Sequence, residues 1–174
     1  LNYIKPVKQY LLEMRFKPMP QYKTGILVGN VSKTSAIGKM FIQPKMQDAS
    51  GKVQLLDEFI GSNFAVIAWG VNPTWGLKAE TVQKWKALGV TFIKVVPPEQ
   101  LSTTPAEHDD VLVLGDTAHE IRAWFAKTND SMVFLRPDKF VAAISIPQSS
   151  EKMSLAHSER YILDTPQHPL HEYG

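Results

Sequence analysis

Cysteine is absent from all 174 residues of this chain. Disulfides, thiolate nucleophiles, dithiol redox chemistry and cysteine-ligated zinc are therefore excluded together. A composition without cysteine is also compatible with a reducing compartment, and we expect a cytoplasmic location. The sequence thus predicts a protein that performs no thiol chemistry of its own.

Long apolar runs and one-sided charge are missing as well. No apolar run approaches the roughly 20 residues that a membrane-spanning helix needs. The formal net charge is +2, and Lys and Arg are scattered, so the field that would attract a phosphate backbone is weak. With 44% hydrophobic and 21% charged residues, the composition suits one globular domain with short arms. We expect neither a membrane partner nor a nucleic-acid partner.

Apolar patterns along the chain predict alternating strands and helices. The predicted strands are 40–43, 64–69, 90–96, 111–114, 133–135 and 140–144, and the predicted helices are 55–61, 77–88, 117–127 and 151–163. This α/β order resembles a thioredoxin-like central sheet flanked by helices. In that fold an active dithiol opens the helix after a core strand, which is the segment 69–76 here, and it contains no Cys. No Pro precedes Ser131 either, where thioredoxins keep a cis-Pro, so thiol–disulfide and thiol-peroxidase activities are not expected.

An amphipathic helix is predicted ahead of the compact domain. Its apolar stripe consists of Ile4, Val7, Leu11 and Met14. We expect residues 1–37 to be this helix and an extended linker, and residues 38–174 to be the thioredoxin-like domain. The stripe is expected to serve as a contact between two chains, the alternative being that it folds back on its own domain. Because the chain begins at Leu1 without Met, we expect a piece of a longer protein.

Histidine and carboxylate patterns do not predict a catalytic or metal site. The five histidines are His108, His119, His157, His168 and His171. The last two lie near each other in a Pro-containing tail but lack the further ligands of a stable zinc site. A hydrolase in which His108 activates a serine such as Ser102 stays open as a third hypothesis, without a nucleophile elbow to support it. Asp57 and Glu58 are consecutive on a helix, so they point in different directions and cannot form an acid–base dyad.

The stretch 131–144 predicts a β-hairpin. Two short runs of strand-forming residues flank a turn in which Pro137 fixes φ and Asp138 bonds its own backbone. Arg136 stands at the hinge and needs an acceptor for its guanidinium. We predict that Asp57 is its partner, so that the structural motif comprises Arg136, Pro137, Asp138 and Asp57.

The Arg136-Pro137-Asp138 turn resembles a hairpin near the C-terminus of FAD-dependent aromatic-ring hydroxylases. The segments 5–20, 38–44 and 55–57 are similar, in the same order, to blocks of the 3-(3-hydroxyphenyl)propionate hydroxylases within that class. The resemblance implies a thioredoxin-like C-terminal domain without thiols, structural or oligomeric in role, and therefore a possible homo-oligomer. It also implies a preceding domain that binds FAD, accepts hydride from NAD(P)H and hydroxylates a phenolic ring. None of the flavin-binding or catalytic positions maps onto this chain, so no such residue is carried over.

The string Gly115-Asp116-Thr117-Ala118-His119 resembles a Gly-Asp-Ala-Ala-His string of flavoprotein hydroxylases whose Asp contacts the ribityl chain of FAD. Here Thr117 and Glu120 have the spacing of a capping box, which explains the string without a ligand. No Gly-x-Gly-x-x-Gly sequence is present to hold a pyrophosphate. We therefore expect no cofactor in this fragment. The alternative function is a redox-inactive thioredoxin-like module that binds a small molecule or peptide near Asn72 to Gly76.

Overall fold

The computed structural model describes residues 35–75, 77–104, 111–128 and 131–145. The predicted N-terminal helix and the predicted helix at 151–163 lie outside the described residues. So do four of the histidines, which are His108, His157, His168 and His171.

Seven strands and three helices form the described part of the chain. The strands are β1 Lys45–Gln47, β2 Val53–Leu55, β3 Ala65–Trp69, β4 Thr91–Val96, β5 Val111–Asp116, β6 Met132–Leu135 and β7 Val141–Ser145. The helices are α1 Leu56–Ile60, α2 Ala79–Ala87 and α3 Glu120–Thr128, with a 3-10 turn at Pro98–Gln100. The apolar runs that predicted the central strands all form strands, and Gly61 ends α1 as predicted, with φ at 61°.

All seven strands belong to one mixed sheet with the order β2-β1-β5-β4-β3-β6-β7. The three central strands are parallel, with Ile67 opposite Ile93 and Ile93 opposite Leu112. The outer strands are antiparallel to their neighbours on both sides. Buried parallel strands need helices on both faces, and this requirement explains why β3 is apolar along its whole length.

The helices cover both faces of the sheet and create two apolar clusters. On one face, α1 and α3 contribute Ile60, Ile121 and Phe125 to a cluster that includes Ile67 and Ile93. On the other face, Trp85 of α2 packs in a cluster with Val66 and Phe92. The predicted architecture of a central sheet flanked by helices is therefore confirmed.

The N-terminal edge of the domain differs from the prediction. Residues 40–43 do not form a strand; Met40 makes an isolated antiparallel bridge with Phe140, between β6 and β7. The Gly38 N–H donates to the Val141 carbonyl at 2.8 Å, and Phe41 N–H donates to the Lys139 carbonyl at 2.8 Å. Phe41 then packs edge-on against Trp124, with ring centroids 4.8 Å apart.

The β1–β2 hairpin was not predicted from the sequence. Its turn is organised by Asp48, whose Oδ1 accepts hydrogen bonds from Ser50 N–H at 2.9 Å and Lys52 N–H at 3.0 Å. A hydrogen bond from the Ser50 hydroxyl holds the pKa of Asp48 below its ordinary value. Gly51 takes a φ of 87°, which glycine adopts at little cost. The hydrogen bonds of Asp48 therefore specify this hairpin, whereas an apolar pattern specifies the longer strands.

Candidate functional site

The carboxyl ends of the parallel strands are the place to look for a site. In open α/β sheets, ligands bind beyond this edge, where the strands lead into loops and helices. Three described segments lie there: residues 70–75, which we call the β3–α2 turn, residues 97–104 after β4, and the junction between β5 and α3. The first occupies the place where the dithiol of a thioredoxin would stand.

The β3–α2 turn is held by its own hydrogen bonds. Asn72 is only 3% exposed, and its Oδ1 accepts from the Thr74 N–H at 2.8 Å and the Thr74 hydroxyl at 2.7 Å. The Trp75 N–H donates to the Asn72 carbonyl at 3.1 Å. Gly70, with φ at 71°, anchors the start of the turn by donating to the Val95 carbonyl at 2.8 Å. The turn is thus an ordered scaffold with no nucleophile in the position of the thiols.

The β5–α3 junction is organised by Asp116, which is fully buried. Its Oδ1 accepts from the Glu120 N–H and its Oδ2 from the Arg122 N–H, both at 3.0 Å. A carboxylate at a helix start satisfies amide groups that have no partner within the helix. Asp116 is therefore the cap of α3, and both of its oxygens are used in that role.

The predicted capping box of Thr117 and Glu120 is wrong in its details. Since α3 begins at Glu120, the residue directly before the helix is His119, so Thr117 and Glu120 do not occupy the N-cap and N3 positions of a capping box. The Thr117 hydroxyl instead donates to the Lys45 carbonyl at 2.7 Å and so fastens the junction to β1. Capping does explain the Gly-Asp string, as expected, but the capping group is Asp116.

Gly115 is explained by a close approach of the chain. A Cβ atom built there would lie 3.3 Å from Pro98 Cα and 3.4 Å from Leu101 Cδ2. Protein atoms thus already fill the space beside Gly115, and Asp116 is fully buried with both of its oxygens accepting backbone hydrogen bonds. The residues of this string do not fit FAD, and no flavin chemistry is derived from them.

The side chains of the Arg-Pro-Asp turn have different partners from those predicted. Arg136 forms an ion pair with Asp138 at 2.7 Å, whereas Asp57 accepts a hydrogen bond from the side-chain amide of Gln43. Lys139, which the sequence analysis did not single out, connects the turn to α1. It is 8% exposed, and its Nζ donates to the Gly61 carbonyl and, at 2.9 Å, to the Pro137 carbonyl. In place of the predicted pair of Arg136 with Asp57, this lysine joins the hairpin to the end of α1.

We expect Arg136→Ala to lower the free energy of unfolding by about 1 kcal/mol. The ion pair with Asp138, which is 39% exposed, contributes little, and most of the loss comes from the packing of the Arg136 side chain, which is 20% exposed. Lys139→Met is the matched comparison, since it keeps the buried stem but leaves two carbonyls without their donor. Its expected cost is about 1–3 kcal/mol. Urea denaturation of the two variants measures both values. A larger loss for Arg136→Ala than for Lys139→Met would contradict this account of the hairpin.

The remaining candidates do not assemble a catalytic centre within the described part of the chain. Ser102 is exposed after the 3-10 turn, and its proposed partner His108 lies outside the described residues. Among the residues that were described, no three His, Asp or Glu side chains form a group that could hold a metal ion.

In the same ranges, no helix is long and apolar enough to cross a membrane. A cavity of about 330 Å³ lies beside β5, lined by Asp48, Ala49, Ser50, Leu101, Thr104, Val111, Leu112 and Val113, and does not involve the β3–α2 turn.

Solved structures with a similar fold include several thioredoxin-like proteins. A putative thiol-disulfide oxidoreductase from Bacteroides vulgatus aligns with a TM-score of 0.53 and 16% identity, covering 74% of this chain and 99% of that one. The peroxidoxin BcpB from Mycobacterium tuberculosis aligns with a TM-score of 0.52 and 10% identity, covering 71% and 96% of the two chains. At these identities the likeness concerns the fold alone, and it confirms the thioredoxin-like architecture.

Curated relatives are far more similar in sequence. The 3-(3-hydroxy-phenyl)propionate/3-hydroxycinnamic acid hydroxylase of Escherichia coli strain SMS-3-5 is 57% identical over 153 residues, which are 87% of this chain and 28% of the relative. The protein of the same name from Shigella sonnei strain Ss046 is 57% identical over 150 residues, covering 86% of this chain and 27% of the relative. The chain thus spans little more than a quarter of the length of these relatives.

The family profile described as the HcaD C-terminal domain matches residues 38–160. That range contains all the described strands and helices, including the β3–α2 turn and the capped start of α3. The match covers most of the chain, and the resemblance to hydroxylase C-terminal domains noted from the sequence is confirmed. The chain belongs to the HcaD C-terminal domain family.

Proposed function

We propose that this chain serves as the non-catalytic C-terminal domain of an FAD- and NAD(P)H-dependent aromatic hydroxylase of the 3-(3-hydroxyphenyl)propionate type. Its role is structural: it packs against the preceding FAD and substrate domain of the same polypeptide. Association of subunits and a cytoplasmic location are part of the same proposal. The family match and the 57% identity to curated hydroxylases support the parent enzyme that we propose.

One observation carries the non-catalytic role. At the carboxyl edge of the parallel strands, where ligands bind in open α/β sheets, the side-chain oxygens of Asn72 and Asp116 accept hydrogen bonds from the chain itself. Asn72 Oδ1 holds the β3–α2 turn, and both Asp116 oxygens hold the start of α3. Both side chains are buried, and groups that are buried and hydrogen-bonded to their own chain in this way are badly placed to activate a substrate or coordinate a cofactor. The arrangement supports a rigid packing module derived from a thioredoxin-like scaffold.

The coverage of the relatives indicates where the flavin would be held. Because the matched region is 28% of the relative's length, most of such an enzyme lies outside the region that corresponds to this chain. A dinucleotide fingerprint, which this sequence lacks, belongs in that larger part under our proposal. The domain then contributes to the stability of the enzyme and leaves the chemistry to its neighbour.

The isolated chain is expected to leave the fluorescence of added FAD unchanged up to micromolar protein. It is also expected to catalyse no reduction of a protein disulfide, because it has no thiol. Under our proposal, the intact Escherichia coli relative in a flavin-free form is the positive control for the titration. Saturable quenching with a micromolar Kd, about −8 kcal/mol of binding, would contradict the non-catalytic assignment.

A further inference from the structure

The edge strand β2 exposes two large apolar side chains next to each other. Val53 is 50% exposed and Leu55 is 39% exposed. Because they are two residues apart on one strand, their side chains point to the same face of the sheet. Single exposed apolar side chains are common on protein surfaces, but an adjacent pair forms a patch. This patch therefore needs an explanation.

The register of the hairpin shows which side chains share that face. Val53 lies opposite Gln47, and Leu55 lies opposite Lys45. Paired residues on neighbouring strands point to the same side, so these four residues form one surface, which we call the hairpin face. Met46 points to the other side, where it is fully buried in the cluster to which α1 and α3 contribute. The hairpin face is thus the side of β1 and β2 opposite that cluster.

The hairpin face continues into the cavity beside β5. Gln47 is paired with Gly115 on β5, and the space beside Gly115 is occupied by Leu101. Val113, two residues before Gly115, points to the same side and lines the cavity of about 330 Å³ together with Leu101 and residues 48–50. The exposed apolar pair therefore lies next to a hollow that can receive an apolar side chain of a partner.

We propose that the hairpin face and the adjoining cavity are the surface on which the preceding body of the same polypeptide packs. This inference rests on the proposed function, and it adds the contact surface. The body would present apolar side chains to Val53 and Leu55, one of them reaching the cavity. It would also present a carboxylate to the exposed Lys45 at the rim of the patch.

The length of the relatives identifies the occupant. The chain matches 28% of the Escherichia coli relative, and the family profile is described as a C-terminal domain. A much larger body therefore precedes the corresponding region in that protein, and the domain must present some surface to it. Charge also favours the body over a second copy. Lys45 is the only charged residue of the hairpin face, so a copy that met it through the same four residues would supply no carboxylate.

The experiment uses a chimera in which this chain replaces the matching region of the Escherichia coli relative. Three versions are compared: unsubstituted, the double variant Val53→Gln/Leu55→Gln, and Leu88→Gln. Leu88 is the matched control, because it is 56% exposed and follows the end of α2, away from the hairpin. We expect a protease to cleave the double variant between body and domain roughly tenfold faster than the unsubstituted chimera, since undocking exposes the connection. Leu88→Gln is expected to stay within about twofold, as a surface substitution away from the contact.

The isolated chain provides the control for folding. Because Val53 and Leu55 are exposed, the double variant should shift the urea midpoint of the isolated chain no more than Leu88→Gln does. If it shifts the midpoint further, Ala49→Phe takes its place as the test, because Ala49 is exposed and lines the cavity. The same tenfold acceleration is then expected, since the larger side chain would occupy the space meant for the body.

Two failures can be told apart. If the chimera binds FAD and hydroxylates its substrate but the variant of the hairpin face is cleaved no faster than Leu88→Gln, the docking inference is overturned and the proposed function stands. If the unsubstituted chimera folds without binding FAD, the proposed function fails, and the docking surface with it. A dimer of the isolated chain that the double variant converts to monomer in sedimentation would assign the hairpin face to a second copy and overturn the inference.

Discussion

Trp85→Ala is expected to lower the free energy of unfolding by about 3–5 kcal/mol, the range observed for large aromatic truncations in protein cores. Trp85 is the buried residue of α2 and is 4% exposed. Its ring lies 6.5 Å from that of Phe92 and 5.5 Å from that of Phe134, measured between centroids. Truncation would leave a cavity in this cluster and would remove the main contact that holds α2 against the sheet.

Urea denaturation followed by far-UV circular dichroism measures this loss. Leu88→Ala is the matched control, because Leu88 follows the same helix but is 56% exposed. Its expected cost is below about 0.5 kcal/mol, as for other surface substitutions. Equal midpoints for the two variants would show that α2 is not held by Trp85.

Asp116→Ala is expected to cost about 2–3 kcal/mol, because it removes both acceptors at the start of α3 and leaves the Glu120 and Arg122 amides unsatisfied. The loss should exceed that of an ordinary exposed cap, since Asp116 is fully buried. The expected loss follows from the local geometry of the junction between β5 and α3.

Thr117→Val is the comparison that separates the observed cap from the capping box predicted from the sequence. Thr117 makes one hydrogen bond, to the Lys45 carbonyl, and its loss should cost about 1 kcal/mol. If Thr117 capped the helix, its replacement would cost as much as that of Asp116. Denaturation midpoints in which Thr117→Val is the more damaging change would contradict the assignment of Asp116 as the cap.

Long apolar runs made the central strands predictable. The segments 64–69 and 90–96 are too apolar for anything but a buried position, and they form β3 and β4 within one residue at either end. The β1–β2 hairpin escaped prediction because each strand has three residues and mixed polarity. Its stability depends on the side chain of Asp48 folding back on Ser50 and Lys52, and such a local contact leaves no periodic pattern.

The contacts around the candidate site were harder to predict for a related reason. Lys139 reaches the Gly61 carbonyl across 78 positions of sequence, and Thr117 reaches the Lys45 carbonyl across 72. Every residue offers a backbone carbonyl, so the identity of the acceptor residue carries no signal. Charge pairing suggested Asp57 for Arg136, whereas the turn itself supplies Asp138 at 2.7 Å. Opposite charge alone is therefore a weak predictor of an ion-pair partner when an acidic residue in the same turn lies closer to the arginine.

The central claim is that this chain is a packing domain that completes a flavin-dependent hydroxylase. The most direct measurement is the substrate-dependent oxidation of NAD(P)H by three forms of the Escherichia coli relative: intact, truncated by its matching region, and carrying this chain in that region. Our account predicts that truncation abolishes FAD retention and hydroxylation of 3-(3-hydroxyphenyl)propionate, and that this chain restores both to within about threefold of the intact enzyme, a difference below 0.7 kcal/mol. A truncated enzyme as active as the intact one, or a folded chimera without activity, would contradict the claim.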